Sequence, residues 1–131
     1  MADIKTYNHG VPQEEAAGLS AGYCVNGTIY MSGQMSHDMD GNLVGEGDIE
    51  TQTRQTLENI DRVLAGFGVT KSNIAEMQIY LTNLHEDLPK YNPILQEYLA
   101  GHRPAATLLG IESLPGGPGQ LIEIRVIAHT D

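Results

Sequence analysis

Core-facing residues recur along two segments of the chain with the spacing of amphipathic helices. The first segment begins at Asp48, a residue type that caps helices, and closes at Gly68, which can adopt the left-handed conformation that stops one. The second covers residues 88–99, ends before Gly101, and contains two prolines, which a helix tolerates near its first turn. The core-facing positions predicted for the two helices are Thr53, Leu57, Ile60, Leu64 and Phe67, and Leu88, Tyr91, Leu95, Tyr98 and Leu99.

Alternating patterns and turn residues define the strands. Asn26-Gly27 favours the positive φ angles of a two-residue hairpin turn. Residues 115–119 contain only proline and glycine, which predicts a second turn. The predicted strands are residues 23–25, 28–31, 75–82, 105–111 and 121–128. The element order ββαβαββ predicts an α+β sandwich with both helices on one face of a mixed sheet. The 131 residues are expected to form a single domain, residues 1–131.

The last strand predicts self-association. Its even-numbered residues, from Ile122 to Ala128, give it one apolar face, yet Leu121 and Ile127 project from the opposite face. No predicted helix remains to cover that second face. Because closed homo-oligomers are the usual way to cover such a surface, we expect another copy of the chain to pack there.

Composition limits the partners and the location. The chain carries 17 acidic and 7 basic residues, a net charge of -10, which disfavours nucleic acid and anionic membranes as partners. No apolar stretch approaches the ~20 residues that a membrane-spanning helix needs. With one cysteine, Cys24, and no apolar run near the N-terminus, the chain is expected to be cytoplasmic.

Glu123 is the residue most suggestive of chemistry, because it lies between two isoleucines of an apolar strand. A buried carboxylate costs several kcal/mol unless it is paired or hydrogen-bonded. Glu123 therefore has a functional role, has its charge balanced by Arg125, or accepts hydrogen bonds from the backbone of a neighbouring subunit. For Arg125 we favour a simple cross-strand ion pair.

The five histidines do not have the spacing of a metal site, and no metal is expected. Most of them are expected to be solvated loop residues. His102 is the exception, because it precedes a strand and has a side chain suited to acid–base chemistry near neutral pH.

Several motifs together resemble the Rid family of reactive intermediate deaminases. They are Ser32-Gly33-Gln34, the helix sequence of residues 53–60, Tyr91-Asn92, and the C-terminal series Pro104-Ala105, Leu114-Pro115 and Ile122-Glu123-Ile124. The resemblance implies a chorismate-mutase-like fold and a homotrimer with clefts between subunits. It also implies hydrolysis of enamines or imines to keto acids and ammonia, without a cofactor.

The resemblance also implies roles for particular residues. Glu123 would position water, Ser32, Gly33 and Asn92 would contact the substrate, and the backbone of the Ala105 to Thr107 strand would help to polarise it. At Ala106 the family has an arginine that grips the substrate carboxylate, and near Leu19 it has a tyrosine. Loss of that arginine should weaken binding of a small amino acid imine by about two to three orders of magnitude, unless Arg103 or Arg125 replaces it.

Two functions remain open from the sequence. The first is a cofactor-free hydrolytic deaminase of a small enamine or imine other than 2-aminoacrylate. The second is a trimeric small-molecule binding protein, a sensor or carrier, that kept the cleft and lost the chemistry with its arginine at Ala106. The ribonuclease activity sometimes attached to the family fits poorly with the acidic composition and the lack of a basic aromatic patch.

Overall fold

A computed structural model describes all 131 residues. The elements, in chain order, are β1 (Ile4–Tyr7), α1 (Pro12–Ala17), β2 (Gly22–Val25), β3 (Thr28–Met31), α2 (Ile49–Gly66), a 3-10 turn (Lys71–Asn73), β4 (Ile74–Leu81), α3 (Leu84–Leu99), β5 (Ala105–Gly110) and β6 (Ile122–His129). The predicted α+β class with a mixed sheet and two main helices is confirmed. The predicted order was incomplete, because it lacked β1 and α1.

The sheet has six strands in the order β1-β2-β3-β6-β4-β5. Only β4 and β5 run parallel, and all other neighbours are antiparallel. The predicted hairpin turn joins β2 and β3, with φ angles of 49° at Asn26 and 85° at Gly27. Because β6 lies between β3 and β4, Glu123 is held in the interior of the sheet.

Helices α2 and α3 bury one face of the sheet. On β4 and β6 the paired core residues are Met77 with Val126, Ile79 with Ile124, and Leu81 with Ile122. These residues belong to a single cluster of 21 buried apolar side chains that includes residues of both helices. No helix is long and apolar enough to cross a bilayer.

Helix α3 differs from its prediction, since it begins at Leu84 and therefore contains both prolines in its interior. A proline inside a helix removes a hydrogen bond to the carbonyl four residues earlier. Both prolines are exposed. The two lie four residues apart, on the same side of the helix, so the carbonyls they leave unpaired fall on a side that water can reach.

The two elements missing from the prediction lack a hydrophobic pattern. Residues of β1 are exposed at three of four positions, and α1 is only six residues long. The start of α1 is fixed by Glu14, whose carboxylate accepts hydrogen bonds from the backbone N–H groups of His9 and Gly10 at 2.9 Å each. The sequence alone does not distinguish a buried glutamate that accepts backbone hydrogen bonds from a glutamate on the surface, so this helix start was not predicted.

The face of the sheet opposite the helices carries apolar side chains, but the prediction that Leu121 is one of them is wrong, because Leu121 precedes β6 and is buried in the core cluster. Tyr23 and Tyr30 pair across β2 and β3 and are each more than two-fifths exposed, and Leu109 on β5 is nearly half exposed. Strand β5 also forms one edge of the sheet. These features are consistent with the predicted association between copies, which remains a prediction.

Candidate functional site

A cavity of about 680 Å³ lies between α1, the loop after β3, the turn before β6 and the side chain of Glu123. The loop after β3 contributes the residues from Ser32 to His37, and α1 contributes its inward-facing side. The complete lining is His9, Val11, Gln13, Glu14, Ala16, Ala17, Leu19, Ala21, Ser32, Gly33, Gln34, Met35, Ser36, His37, Gly41, Leu43, Pro115, Gly116, Gln120 and Glu123. The cavity therefore combines an apolar wall with one of the residues predicted to carry chemistry.

Gly33 makes room for the carboxylate of Glu123. A Cβ atom at position 33 would lie 2.4 Å from Glu123 Oε2 and 2.7 Å from its Cδ, far inside normal contact distance. The φ angle of Gly33 is not in the positive region that favours glycine. Glycine is therefore required here for space beside the carboxylate rather than for backbone conformation.

The Glu123 carboxylate has no partner within the chain. No side-chain hydrogen bond reaches it, and the one ion pair in the structure joins Arg62 and Glu58 at 3.9 Å on α2. The predicted cross-strand ion pair of Arg125 is therefore wrong, since the uncharged Gln78 lies opposite it. Arg125 does not balance Glu123 on the same strand either, because the two side chains form no ion pair. Burial raises the pKa of the Glu123 carboxyl above its usual range, since desolvation disfavours its charged form.

Ser32 and Gln34 shape the wall next to Glu123. The Ser32 hydroxyl donates to the Ser20 carbonyl at 2.6 Å, so its only proton is already used and it can offer a ligand only acceptor capacity. The backbone of Gln34 exchanges two hydrogen bonds with Ile124, which ties this wall to the strand that carries Glu123. The backbone N–H of Gly33, between them, donates to no group of the chain.

His9 is held in one tautomer by Gln34. The Gln34 side chain donates Nε2–H to the Ser32 carbonyl at 3.0 Å, and its Oε1 lies 2.8 Å from His9 Nε2. His9 therefore carries its proton on Nε2, and its Nδ1 is buried without a partner. Burial lowers the pKa of His9, outweighing the hydrogen bond that its ring donates to Gln34, which raises it. The ring is thus neutral near neutral pH.

The histidine expectations need correction. Most of the five histidines are predicted to be solvated loop residues, but His9 and His37 both line the cavity, with ring centroids 5.4 Å apart. His102 was expected near the site, yet its Nε2 bonds the carbonyl of Ile74 at 2.7 Å. Ile74 is six residues before the partner of Glu123 on β4, which is about 20 Å along a strand.

Buried amides of α2 fix the cavity loops. Asn59 Nδ2 donates to the carbonyls of Met35 at 2.8 Å and His37 at 3.0 Å. Gln52 donates to Gly119 and accepts from the N–H of Leu121 at 2.8 Å, at the turn before β6. Sequence reasoning missed both residues. The available signal was their spacing, because positions 52, 56 and 59 continue a buried stripe that ends at Val63.

The other predicted substrate residues lie away from this cavity. Asn92 is exposed on α3, and Arg103 is exposed before β5. On β5 the register pairs Ala106 with Met77, a core-facing residue, and pairs Ala105 and Thr107 with residues of the opposite face. Within one chain the candidate residues therefore fall into two groups: Ser32, Gly33 and Glu123 line the cavity, and Asn92, Arg103 and Ala105 to Thr107 do not.

Comparison with known proteins gives consistent similarities over almost the whole chain. The family model described as Endoribonuclease L-PSP matches residues 12–130. A RutC family protein of Pyrococcus horikoshii is 32% identical over 103 residues, which cover 79% of each chain. The candidate regulator AldR of Lactococcus lactis is 35% identical over 109 residues, which cover 82% of this chain and 83% of that one. Among solved structures, the Rid family protein YyfA of Yersinia pestis, of unknown function, matches with a TM-score of 0.86 and 37% identity, covering 98% of this chain and 100% of that one.

Proposed function

Because the chain belongs to the Rid (YjgF/RutC) family, we propose that it hydrolyses a small enamine or imine, without a cofactor, to a carbonyl compound and ammonia. The observation that carries the proposal is the carboxylate of Glu123. It lies on the wall of a cavity, has no partner, and has its pKa raised by burial. A base of this kind is suited to accept a proton from water near neutral pH.

The proposed reaction needs only groups of the protein and one water molecule. Glu123 accepts a proton from water as the water oxygen forms a bond to the imine carbon, and the electron pair of the C=N bond moves to nitrogen. The resulting carbinolamine takes that proton from Glu123 at nitrogen. Glu123 then accepts the hydroxyl proton as the C=O bond forms, and the C–N bond breaks with its electron pair leaving on ammonia. The free N–H of Gly33 supports this proposal, because it can orient the attacking water or the carbinolamine oxygen.

We further propose a homotrimer in which a neighbouring copy completes the site. The separation of the candidate residues into two groups supports this, since Asn92, Arg103 and the strand from Ala105 to Thr107 need another chain to meet a ligand at Glu123. Small-molecule binding and self-association are thus the proposed interactions. A net charge of -10 argues against nucleic acid. The buried free thiol of Cys24 suits the reducing cytoplasm.

The substitution Glu123→Gln tests the proposal. It keeps the shape of the side chain and removes the base, so turnover of the preferred imine should fall by about 10²-fold or more. The assay measures ammonia release from imines generated in place by flavin-dependent amine and amino acid oxidases. Glu97→Gln, an exposed change on α3, is the control. Activity of Glu123→Gln within a few-fold of wild type would refute the mechanism.

The thermal stability of the same variant distinguishes a Glu123 that acts as a base from a Glu123 that balances a cation. Because its pKa is raised in the folded protein, the stabilising contribution of Glu123 is complete below the pKa of the unfolded chain and is lost as pH rises through the folded-state pKa. Glu123→Gln should therefore gain stability relative to wild type as pH rises above about 4, the pKa of glutamate in an unfolded chain, through the raised folded-state pKa. A lower melting temperature at neutral pH would instead indicate that Glu123 balances a cation.

The alternative function is a trimeric binding protein without catalysis. Ala106, in place of the family arginine, favours this alternative, and the name of the Lactococcus relative describes a candidate regulator. Saturable ligand binding at the cavity without turnover of any imine tested would support it.

A further inference from the structure

The cavity contains no permanently charged cation. None of the seven lysine and arginine residues lines it. Arg62 is near enough for its charge to affect His9, but it pairs with Glu58 on the outside of α2. A ligand carboxylate entering this cavity would therefore find no guanidinium or ammonium group of the same chain.

Of the two carboxylates at the cavity, only Glu123 is free to meet a ligand. Glu14 is 8% exposed, and each of its oxygens already accepts a backbone hydrogen bond. The half-buried Glu123 has no partner. The charge that one chain presents to a ligand in this cavity is therefore negative when Glu123 is ionised.

The remaining wall is suited to an apolar body. Val11, Leu19, Met35 and Leu43 contribute apolar surface, and Leu19 lies near the position where the family has a tyrosine. A volume of about 680 Å³ is in the range for ligands much larger than an imine of six heavy atoms. Size and polarity thus point away from a small imino acid.

Resting on the proposed function, we infer that the substrate is an iminium ion without a carboxylate, attached to an apolar aryl or alkyl group. The balanced reaction is R–CH=NH₂⁺ + H₂O → R–CHO + NH₄⁺. The carbon–oxygen bond forms from water, the carbon–nitrogen bond breaks, and no electron donor or acceptor is needed. The cationic nitrogen is attracted to the negative charge of Glu123, which no cation of the chain neutralises. A carboxylate on the same molecule would be repelled by that charge.

A matched set of stable ligands tests the charge preference. Benzamidinium is a planar cation that mimics a protonated imine, benzoate has the same shape with the opposite charge, and benzamide is neutral. Each is titrated into the native assembly at about pH 8, where unperturbed histidines are neutral, and binding is measured by calorimetry. We expect benzamidinium to bind at least tenfold more tightly than benzoate. We expect Glu123→Gln, but not Glu97→Gln, to remove that preference.

Equal or tighter binding of benzoate would overturn the inference, and so would a benzamidinium preference that survives Glu123→Gln. Turnover is then compared for the imine formed from benzylamine and the imino acid formed from D-phenylglycine. Faster hydrolysis of the imino acid also overturns the inference while leaving the deaminase proposal intact. If benzamidinium is preferred but neither imine is hydrolysed above its spontaneous rate, the proposed catalysis fails and the inferred ligand class stands.

Discussion

Gly33→Ala tests whether the position of the Glu123 carboxylate, and not only its presence, matters for turnover. The new Cβ would lie 2.4 Å from Glu123 Oε2, whereas ordinary contact begins at 3.4 Å, so the carboxylate must move by 3.4 − 2.4 = 1.0 Å. A misplacement of about 1 Å in a catalytic constellation can lower the rate by about 10²-fold. We therefore expect kcat for the preferred imine to fall by about that factor.

The fold should tolerate this change. The φ angle of Gly33 suits alanine, and the clashing atoms are the end of a flexible side chain, so the rearrangement should cost about 1 kcal/mol, roughly 4 °C in Tm. Gly119→Ala is the matched control, because its Cβ would crowd the exposed side chain of Glu46 and neither residue lines the cavity. The assay is the initial rate of ammonia release, with melting curves for both variants.

The double variant Gly33→Ala/Glu123→Gln makes the test specific. If Gly33 acts by placing Glu123, the second substitution should add little to the loss caused by the first. Wild-type kcat in Gly33→Ala, or fully additive losses in the double variant, would refute the reasoning that connects the two residues.

Two further predictions concern the second group of residues. Ala106→Arg should raise the rate of 2-aminoacrylate hydrolysis from a low wild-type level, and a wild-type rate equal to that of an arginine-bearing family member would show that Arg103, Arg125 or another group replaces the arginine. Light scattering on a size-exclusion column should give three times the 14.2 kDa chain mass at micromolar concentration, and a stable monomer would rule out a site shared between subunits.

The parts of the fold that were predicted correctly depend on local chemistry. Asn26-Gly27 adopts positive φ at both positions, and the Asp48 side chain accepts from the N–H of Thr51 at the start of α2. The start of α3 was misplaced because its prolines suggested a boundary, while the first turn from Leu84 carries no strong cap. Elements β1 and α1 escaped prediction because their anchoring contacts, such as those of Glu14, produce no periodic pattern.

The sequence predicted only part of the candidate site. Glu123 stood out because a charge interrupts an isoleucine-rich strand, and the structure places it against Gly33 at a cavity. The amides Gln34, Gln52 and Asn59 did not stand out, because a polar residue on a helix or at a strand end is usually solvated. Their function in holding backbone loops depends on tertiary contacts that a single sequence does not display.

Because the candidate residues fall into two groups, the substrate preference of the proposed activity can change independently of its base. The group at Glu123 is tied to the core, since the backbone of Gln34 bonds Ile124 and both β6 neighbours of Glu123 are fully buried isoleucines. The β5 residues of the other group lie on an edge strand, where Ala105, Ala106 and Thr107 are exposed and can be substituted at little cost to packing. A substitution on β5 can therefore change which ligand the proposed site accepts without moving the proposed base. For that reason the unpartnered carboxylate of Glu123 favours the proposed deaminase of altered substrate range over the alternative of a binding protein without catalysis.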